Sequence, residues 1–179
     1  AHAARTLSGF APEDIASREA LATLPVTRKS DLIAAQAANP PFAGLNGVPV
    51  GSLARIFVSP GPIHEPQGRG ADTFRFARAL HATGLRGGDV MQNCFAYHFT
   101  PAGFMLEGGA MALGCPVIPA GTGNTEAQAG AMARLRPRAW CGTPDFLKVI
   151  LERADAMGLD TSSLRHGHVS GGAYLPALR

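Results

Sequence analysis

Short apolar runs alternate with helical segments along most of this chain, and that alternation restricts the possible folds more than any other feature of the sequence. Five apolar runs are predicted to be strands, at residues 54–59, 89–94, 115–119, 139–141 and 166–170. Segments between them are predicted to be helices, at residues 72–83, 102–113, 125–135 and 144–157. Strands that alternate with helices in this way are typical of right-handed βαβ units. The sequence therefore predicts an α/β fold in which helices flank one parallel sheet.

Two further helices are predicted before the first strand. The first covers residues 12–24 and ends at Pro25, and the second covers residues 30–38 and ends at a pair of prolines. Because these helices precede every strand, we interpret residues 1–50 as a helical leading arm. Residues 51–179 then form an α/β subdomain.

The loops that leave the carboxyl ends of the strands are the default place for a site. In open α/β sheets, ligands bind in the crevice outside those ends. The corresponding segments are residues 59–68, 95–101, 119–124, 142–144 and 171–176. Several of them are rich in glycine, serine, threonine or asparagine, so a binding site is predicted along this edge.

The charge of the chain is mildly basic, with a net charge of +3. The arginines are scattered and do not cluster with aromatic side chains, so no nucleic-acid-binding surface is predicted. The sign of the charge is compatible with an anionic small molecule. A small group of arginines, at Arg134, Arg136 and Arg138, is interpreted as a solvated helix end.

The cysteine and histidine patterns do not predict a metal site. Cys94, Cys115 and Cys141 form no CxxC pair, and nothing near His166 and His168 completes a metal shell. Each cysteine lies in or beside an apolar run and is predicted to be a reduced, buried side chain. No apolar stretch approaches the ~20 residues of a membrane span, and the first residues lack the apolar region of a secretory signal. These features predict a cytoplasmic protein without membrane contact.

Several segments also match the motifs of a known family. Residues 88–93 read GDVMQN, residues 113–119 read LGCPVIP and residues 123–128 read GNTEAQ. They resemble GDVVQN, LGATVIP and GNTERQ of the phenylacetate–CoA ligases, a branch of the adenylate-forming (AMP-dependent synthetase and ligase) superfamily. Four further segments resemble motifs of the same family in the same order, at residues 24–32, 97–103, 141–144 and 171–172.

This resemblance implies the amino-terminal part of an enzyme that activates a small aromatic carboxylate. Such enzymes form an acyl-adenylate with ATP and Mg²⁺, and then transfer the acyl group to coenzyme A. The resemblance implies an acyl pocket formed by Tyr97, His98, Phe99, Gly121, Gly123 and Asn124. It implies a nucleotide-side segment formed by Gly171, Gly172 and Ala173.

The residues also allow simpler interpretations. Without the resemblance, Tyr97 and Phe99 would more often be core or lid residues. Asn124, with Thr125, is explained equally well as the N-cap of the following helix. Both readings of Asn124 are compatible, because a helix N-terminus at the end of a strand can also face an anion.

The sequence departs from the family at its phosphate loop, where the family reads SSGTTGKP and this chain reads SPGPIHEP over residues 59–66. Matches remain at Ser59, Gly61 and Pro66, whereas His64 replaces a glycine and Glu65 replaces the lysine. Such a loop holds phosphate through backbone N–H groups, hydroxyls and a cation, so a degenerate phosphate loop is predicted.

A second departure concerns catalysis. Ala173 stands where the family has a glutamate, and the family's catalytic lysine belongs to a region beyond residue 179. No catalytic residue is therefore assigned, and this chain alone is predicted to be inactive, with binding of ATP or coenzyme A left open. The alternative is a non-catalytic homologue that binds an acyl acid or a partner protein. Because the family's domain is longer, self-association or the remainder of an enzyme is expected to cover exposed apolar surface.

Overall fold

The computed structural model describes residues 10–176 and divides into two compact units. The first unit ends at Arg69 and the second begins at Gly70. The division after residue 50 that the sequence suggests stays a prediction.

The first unit contains short helices and one β-hairpin. Its elements are a 3-10 turn Pro12–Asp14, helices α1 (Arg18–Ala22) and α2 (Lys29–Ala38), a 3-10 turn Val50–Ser52, and strands β1 (Arg55–Ser59) and β2 (Ile63–Gln67). The single helix predicted over residues 12–24 is interrupted. Ser17 begins α1 instead, because its side chain accepts a hydrogen bond from the Ala20 N–H at 3.1 Å.

The prediction that residues 54–59 belong to the parallel sheet is wrong. Strand β1 pairs antiparallel with β2, in a register that places Ser59 opposite Ile63. The turn between them, at residues 60–62, is Pro-Gly-Pro, and Gly61 has φ +101°, which reverses the chain within three residues. Strand β2 was missed because its sequence, IHEPQ, is mostly polar and contains a proline.

The second unit is the predicted α/β sheet. Its elements in chain order are α3 (Phe76–Ala82), β3 (Met91–Asn93), α4 (Ala102–Ala112), β4 (Val117–Pro119), α5 (Thr125–Leu135), β5 (Ala139–Gly142), α6 (Pro144–Ala156) and β6 (His166–Val169). The strands lie in the order β4-β3-β5-β6, and every pair is parallel. The α/β fold class and the parallel pairing of the last four predicted strands are confirmed.

Both faces of this sheet are buried. One core cluster lies on the side of α3 and α4, and it contains Leu80, Leu85, Met91, Leu106, Ala110, Cys115, Ala139 and Cys141. The other lies on the side of α5 and α6, and it contains Cys94, Ala129, Met132, Trp140, Ile150 and Ala154. Successive residues of β5 alternate between the two clusters, as a pleated strand requires. Apolar residues on both faces explain why these strands have continuous apolar runs.

The three cysteines are buried and free, as the sequence predicts. Burial raises the pKa of the Cys94 thiol to about 12 and raises the pKa of Cys141 well above its ordinary value. These thiols are therefore protonated structural side chains. Within residues 10–176, no helix is long and apolar enough to cross a bilayer, and no three His, Cys, Asp or Glu side chains are grouped to hold a metal ion.

His168 makes the stability of the second unit sensitive to acid. It lies on β6 in edge contact with Phe76, with ring centroids 6.3 Å apart, and burial lowers its pKa. The folded state therefore binds this proton less well than the unfolded state. The contribution of neutral His168 is fully present above its ordinary pKa of about 6.5 and is lost as the pH falls through the lowered value.

We expect the free energy of unfolding to fall between neutral and mildly acidic pH, and to fall less in His168→Gln, which stays neutral. Denaturant titrations at several pH values measure this, with the exposed His98→Gln as the control. Equal pH slopes for wild type and His168→Gln would contradict the prediction.

Candidate functional site

The strand order places a crevice at the carboxyl edge of β3. The chain passes from β3 to β4 on one side and then returns to β5 on the other side, so the order reverses at β3. Ligands of open α/β proteins bind at this reversal, beyond the carboxyl ends of the strands. The segments that leave that edge are residues 94–101, 120–124, 143 and 170–176.

Asn93, the last residue of β3, holds the first of these loops in place. The residue is fully buried, and its Nδ2 donates to Tyr97 Oη at 2.7 Å and to Gly103 O at 2.8 Å. Its Oδ1 accepts from Phe95 N at 3.2 Å and from Cys141 Sγ at 3.1 Å. Each polar atom of the amide therefore has two partners, which fixes loop 94–101 against the start of α4.

Tyr97 is the half-buried aromatic of this loop. Its ring packs edge-on against Phe104, with centroids 5.1 Å apart. Burial, followed by the nearby Glu107 carboxylate, raises the pKa of Tyr97 far above its ordinary value. The phenol is therefore protonated at physiological pH, and its O–H has the Glu107 carboxylate as a hydrogen-bond acceptor.

The next two candidate residues lie at the surface. Phe99 is 66% exposed, has φ +61° and stacks edge-on with His98 at 4.7 Å between centroids. A bulky side chain in the left-handed region is uncommon and is often associated with a functional constraint. His98 is exposed as well. Of the three loop candidates, only Tyr97 therefore packs against α4.

Gln128, on α5, shapes the second loop. It is 4% exposed, and its Nε2 donates to the carbonyl oxygens of Gly121 and Gly123 at 2.8 and 2.9 Å. Its Oε1 accepts from Gln92 Nε2 at 3.0 Å and from Cys94 Sγ at 2.7 Å. A single buried side chain thus ties loop 120–124 to β3.

Asn124 does not act as the predicted side-chain cap. It occupies the N-cap position of α5, but with φ +51° and without a side-chain hydrogen bond to the helix. A capping side chain needs extended backbone at this position. Gly121 and Gly123 also have positive φ, at +67° and +76°. The loop follows a left-handed course, and its carbonyl groups turn toward Gln128.

The loops after β3, β5 and β6 meet at Gly171. A methyl group placed on Gly171 would lie 3.7 Å from Thr143 Cγ2 and 3.8 Å from Phe95 Cε1. A methyl group placed on Gly172 would lie 3.2 Å from Pro144 Cδ. Ala173 is exposed and contributes no polar side chain. The structure thus brings residues 95, 143 and 171 together at one edge.

The residues of the predicted phosphate loop form the hairpin of the first unit. Ser59 ends β1, and its buried Oγ makes no hydrogen bond within residues 10–176. His64 is held through its backbone, because its N–H donates to Gln36 Oε1 at 2.9 Å and its carbonyl accepts from Gln36 Nε2 at 2.8 Å. Lys29 Nζ donates to Pro60 O at 3.0 Å, at the tip of the hairpin.

Sequence reasoning missed four of these positioning residues. Asn93 and Gln128 lie inside the matched motifs, but their letters alone do not indicate which backbone atoms they bind. Lys29 and Gln36 lie seven residues apart on α2, which is two helical turns, so they share one face. Lys29 also lies inside the matched segment 24–32, and for Gln36 that spacing was the one available signal.

We expect Gln128→Met to destabilise the second unit by about 2–3 kcal/mol, because it leaves several buried polar groups without partners. The thioether keeps the length of the side chain, so packing changes little. Chemical denaturation measures the loss, and Glu126→Met at an exposed position of the same helix is the matched control. A loss no larger than that of the control would show that loop 120–124 does not depend on Gln128.

No family model matches the sequence. A phenylacetate-coenzyme A ligase of Aromatoleum evansii is 32% identical over an alignment of 180 positions, which covers 96% of this chain and 40% of that protein. One of Thermus thermophilus is 32% identical over 164 residues, which is 88% of this chain and 36% of that protein. This chain is a homologue of the phenylacetate–CoA ligases. It matches their amino-terminal part and spans about two fifths of their length.

The structural comparison agrees with this assignment. An open conformation of 2-hydroxyisobutyryl-CoA ligase, solved in complex with 2-HIB-AMP and CoA, matches with a TM-score of 0.87 at 26% identity. The match covers 97% of this chain and 41% of the solved ligase chain. The family resemblance seen in the motifs is therefore confirmed, and the α/β fold is that of one part of an adenylate-forming ligase.

Proposed function

We propose that this ligase homologue is the acyl-binding part of an adenylate-forming CoA ligase and holds a small aromatic carboxylate at the carboxyl edge of β3. The observation that carries the proposal is the Tyr97 phenol, which is held by Asn93 at 2.7 Å and stays protonated. A tyrosine ring that is fixed in this way and packs edge-on against Phe104 suits a ligand with an aromatic ring.

The proposal includes the complete reaction of an adenylate-forming CoA ligase. In an adenylate-forming CoA ligase, ATP and Mg²⁺ activate the acid to an acyl-adenylate, and coenzyme A then takes the acyl group. The hairpin at residues 59–66 does not fit a triphosphate, because its three prolines carry no N–H and Glu65 is anionic. We assign no ATP-dependent step to these residues and no catalytic residue to the chain.

The hairpin also favours the second candidate function, a non-catalytic homologue that binds an acyl acid or a partner protein. The His64 N–H, which a phosphate oxygen would need, already donates to Gln36. Under this alternative the acid still binds near Tyr97, but addition of ATP does not change its affinity. Titrations of the acid with and without Mg-ATP separate the two functions.

An NMR titration of the 179-residue chain with phenylacetate tests the acyl site. We expect amide shifts in loops 94–101 and 120–124, and an affinity at least roughly tenfold weaker in Tyr97→Ala. Tyr174→Ala, at the other tyrosine of the chain, is the matched control. Shifts confined to residues 10–69, or equal affinities in both variants, would exclude the acyl site proposed here.

A partner surface is part of the same proposal. Among residues 10–176, strands β4 and β6 are the edges of the sheet, and Met111, Leu135 and Val149 are large apolar side chains more than 45% exposed. We propose that a second copy or the remaining part of a longer ligase covers apolar surface of this unit. Light scattering over a wide concentration range distinguishes self-association from a monomer.

A further inference from the structure

A cavity of about 450 Å³ lies between α2 and the β-hairpin of the first unit. Its lining combines charged and apolar side chains, namely Lys29, Glu65, Leu32, Phe42, Leu45 and Ile63. All of them belong to the first unit. The cavity is therefore built by residues outside the sheet and its loops.

Two polar anchors hold α2 at a set distance from the hairpin. At one end, Lys29 Nζ donates to Pro60 O at 3.0 Å. At the other end, the Gln36 amide bonds both the N–H and the carbonyl of His64, at 2.9 and 2.8 Å. The anchors are seven residues apart, or about 10 Å along the helix axis. Leu32 lies between them and lines the cavity without closing it.

The cavity is open to solvent, and its volume is that of a ligand pocket. Such pockets measure about 300–1,000 Å³. Phe42 and Ile63 line it and are only 1% and 4% exposed, so this part of the wall is well packed from behind. Leu45 lies at the rim and is 38% exposed. The walls suit an apolar ligand body that enters past Leu45.

The Lys29 ammonium at the hairpin tip determines which polar group a ligand needs at that end. A lysine ammonium has three N–H donors, and Pro60 O occupies one of the Lys29 donors. Glu65 lies two residues beyond Ile63, about 7 Å further along β2 and away from the tip. His64 Nδ1 faces Pro41 O at 3.2 Å and therefore carries the proton in that contact. Lys29 and Glu65 both line the cavity, so the negative end of a ligand is expected at Lys29 and its uncharged body toward Glu65.

We propose that this cavity binds a small monocarboxylic acid with an apolar body, whose carboxylate accepts hydrogen bonds from Lys29. The site is separate from the acyl site at Tyr97 and does not depend on that proposal. Its acid is recognised by an ammonium group and apolar walls, with no requirement for an aromatic ring.

Octanoate is a suitable probe, with octanamide as its uncharged counterpart. We expect octanoate to shift the amide resonances of residues 27–45 and 63–66 in NMR titrations of the full chain. Octanamide and Lys29→Met should each weaken binding by roughly tenfold or more, because a charge-assisted hydrogen bond is lost. Lys29→Arg keeps the charge and should retain most of the affinity.

A cavity-filling variant keeps the test decisive if Lys29→Met disturbs the hairpin. Leu45→Trp places a large ring at the rim and should abolish octanoate binding while the spectrum of the folded chain is preserved. The proposal is overturned if octanoate shifts only the resonances of residues 94–124, if octanamide binds as well as octanoate, or if Leu45→Trp leaves the affinity unchanged. Binding in the first unit that is lost in Leu45→Trp supports it, even when Tyr97→Ala has removed the acyl site.

Discussion

Mg-ATP is expected to bind the isolated 179-residue chain weakly, with no saturation in the micromolar range. The motif resemblance implies that Glu65, in the hairpin at residues 59–66, stands where the family has a lysine. A charge-assisted hydrogen bond contributes roughly 1.5–3 kcal/mol, so this loss alone weakens binding by roughly tenfold to a hundredfold.

The backbone geometry of the hairpin is expected to weaken Mg-ATP binding further. Phosphate loops present free N–H groups to the oxygens, whereas Pro60 and Pro62 have none and the His64 N–H is bonded to Gln36. The segment is also the turn and second strand of an antiparallel hairpin, with Ser59 opposite Ile63. Its remaining donors are therefore held in strand geometry and do not converge on an anion.

Calorimetric titration with Mg-ATP measures this prediction. Replacing Pro62, Ile63, His64 and Glu65 together by Thr, Thr, Gly and Lys should increase the affinity at least roughly tenfold. Glu13→Lys makes the same charge change at an exposed position and is the control for net charge. Micromolar affinity of the wild type that Glu65→Lys leaves unchanged would show that the hairpin is not what limits binding.

Two adjacent glycines of α4 should respond in opposite directions to the same substitution. A methyl group on Gly109 would lie 2.7 Å from Phe76 Cβ and 2.8 Å from the backbone of Phe76 and Ala77. These atoms begin α3, which cannot retreat without disturbing the core. Gly109→Ala is therefore expected to cost about 1–3 kcal/mol or more, the usual range for overpacking.

Gly108 is the matched control, because a methyl group there meets no atom within 4 Å. Gly108→Ala should raise the free energy of unfolding by about 0.5–1 kcal/mol, since alanine loses less backbone entropy in a helix. Denaturant unfolding of both variants measures the difference. If both substitutions stabilise the chain, the close packing of α3 on α4 described here is incorrect.

The class of the fold and the family could be predicted from the sequence because their signals are local. Apolar runs of strand length between helices predict a parallel sheet wherever both faces are covered, as they are around β3 and β5. The motif at residues 123–128 is specific because Gly123 has positive φ and Gln128 donates a hydrogen bond to its carbonyl. Each of these features depends on residues a few positions apart.

The errors arose where the outcome depends on hydrogen bonds whose partners the sequence does not specify. Residues 55–59 have the composition of a sheet strand, and only β2 and the Pro-Gly-Pro turn make them half of a hairpin. Asn124 has the side chain of a cap, but the carbonyls bound by Gln128 hold its loop in a left-handed course. In both cases these hydrogen bonds outweigh a local preference of about 1 kcal/mol.

What the sequence alone determined is the α/β class, the order of the last four strands along the chain and the kinship with the phenylacetate–CoA ligases. Only the tertiary structure decided which side chains position the candidate sites. Asn93 meets Cys141 across 48 positions, and Gln36 meets His64 across 28. A polar side chain has several possible partners in sequence, and the partner that it binds is chosen when strands and helices pack and exclude water from that pair.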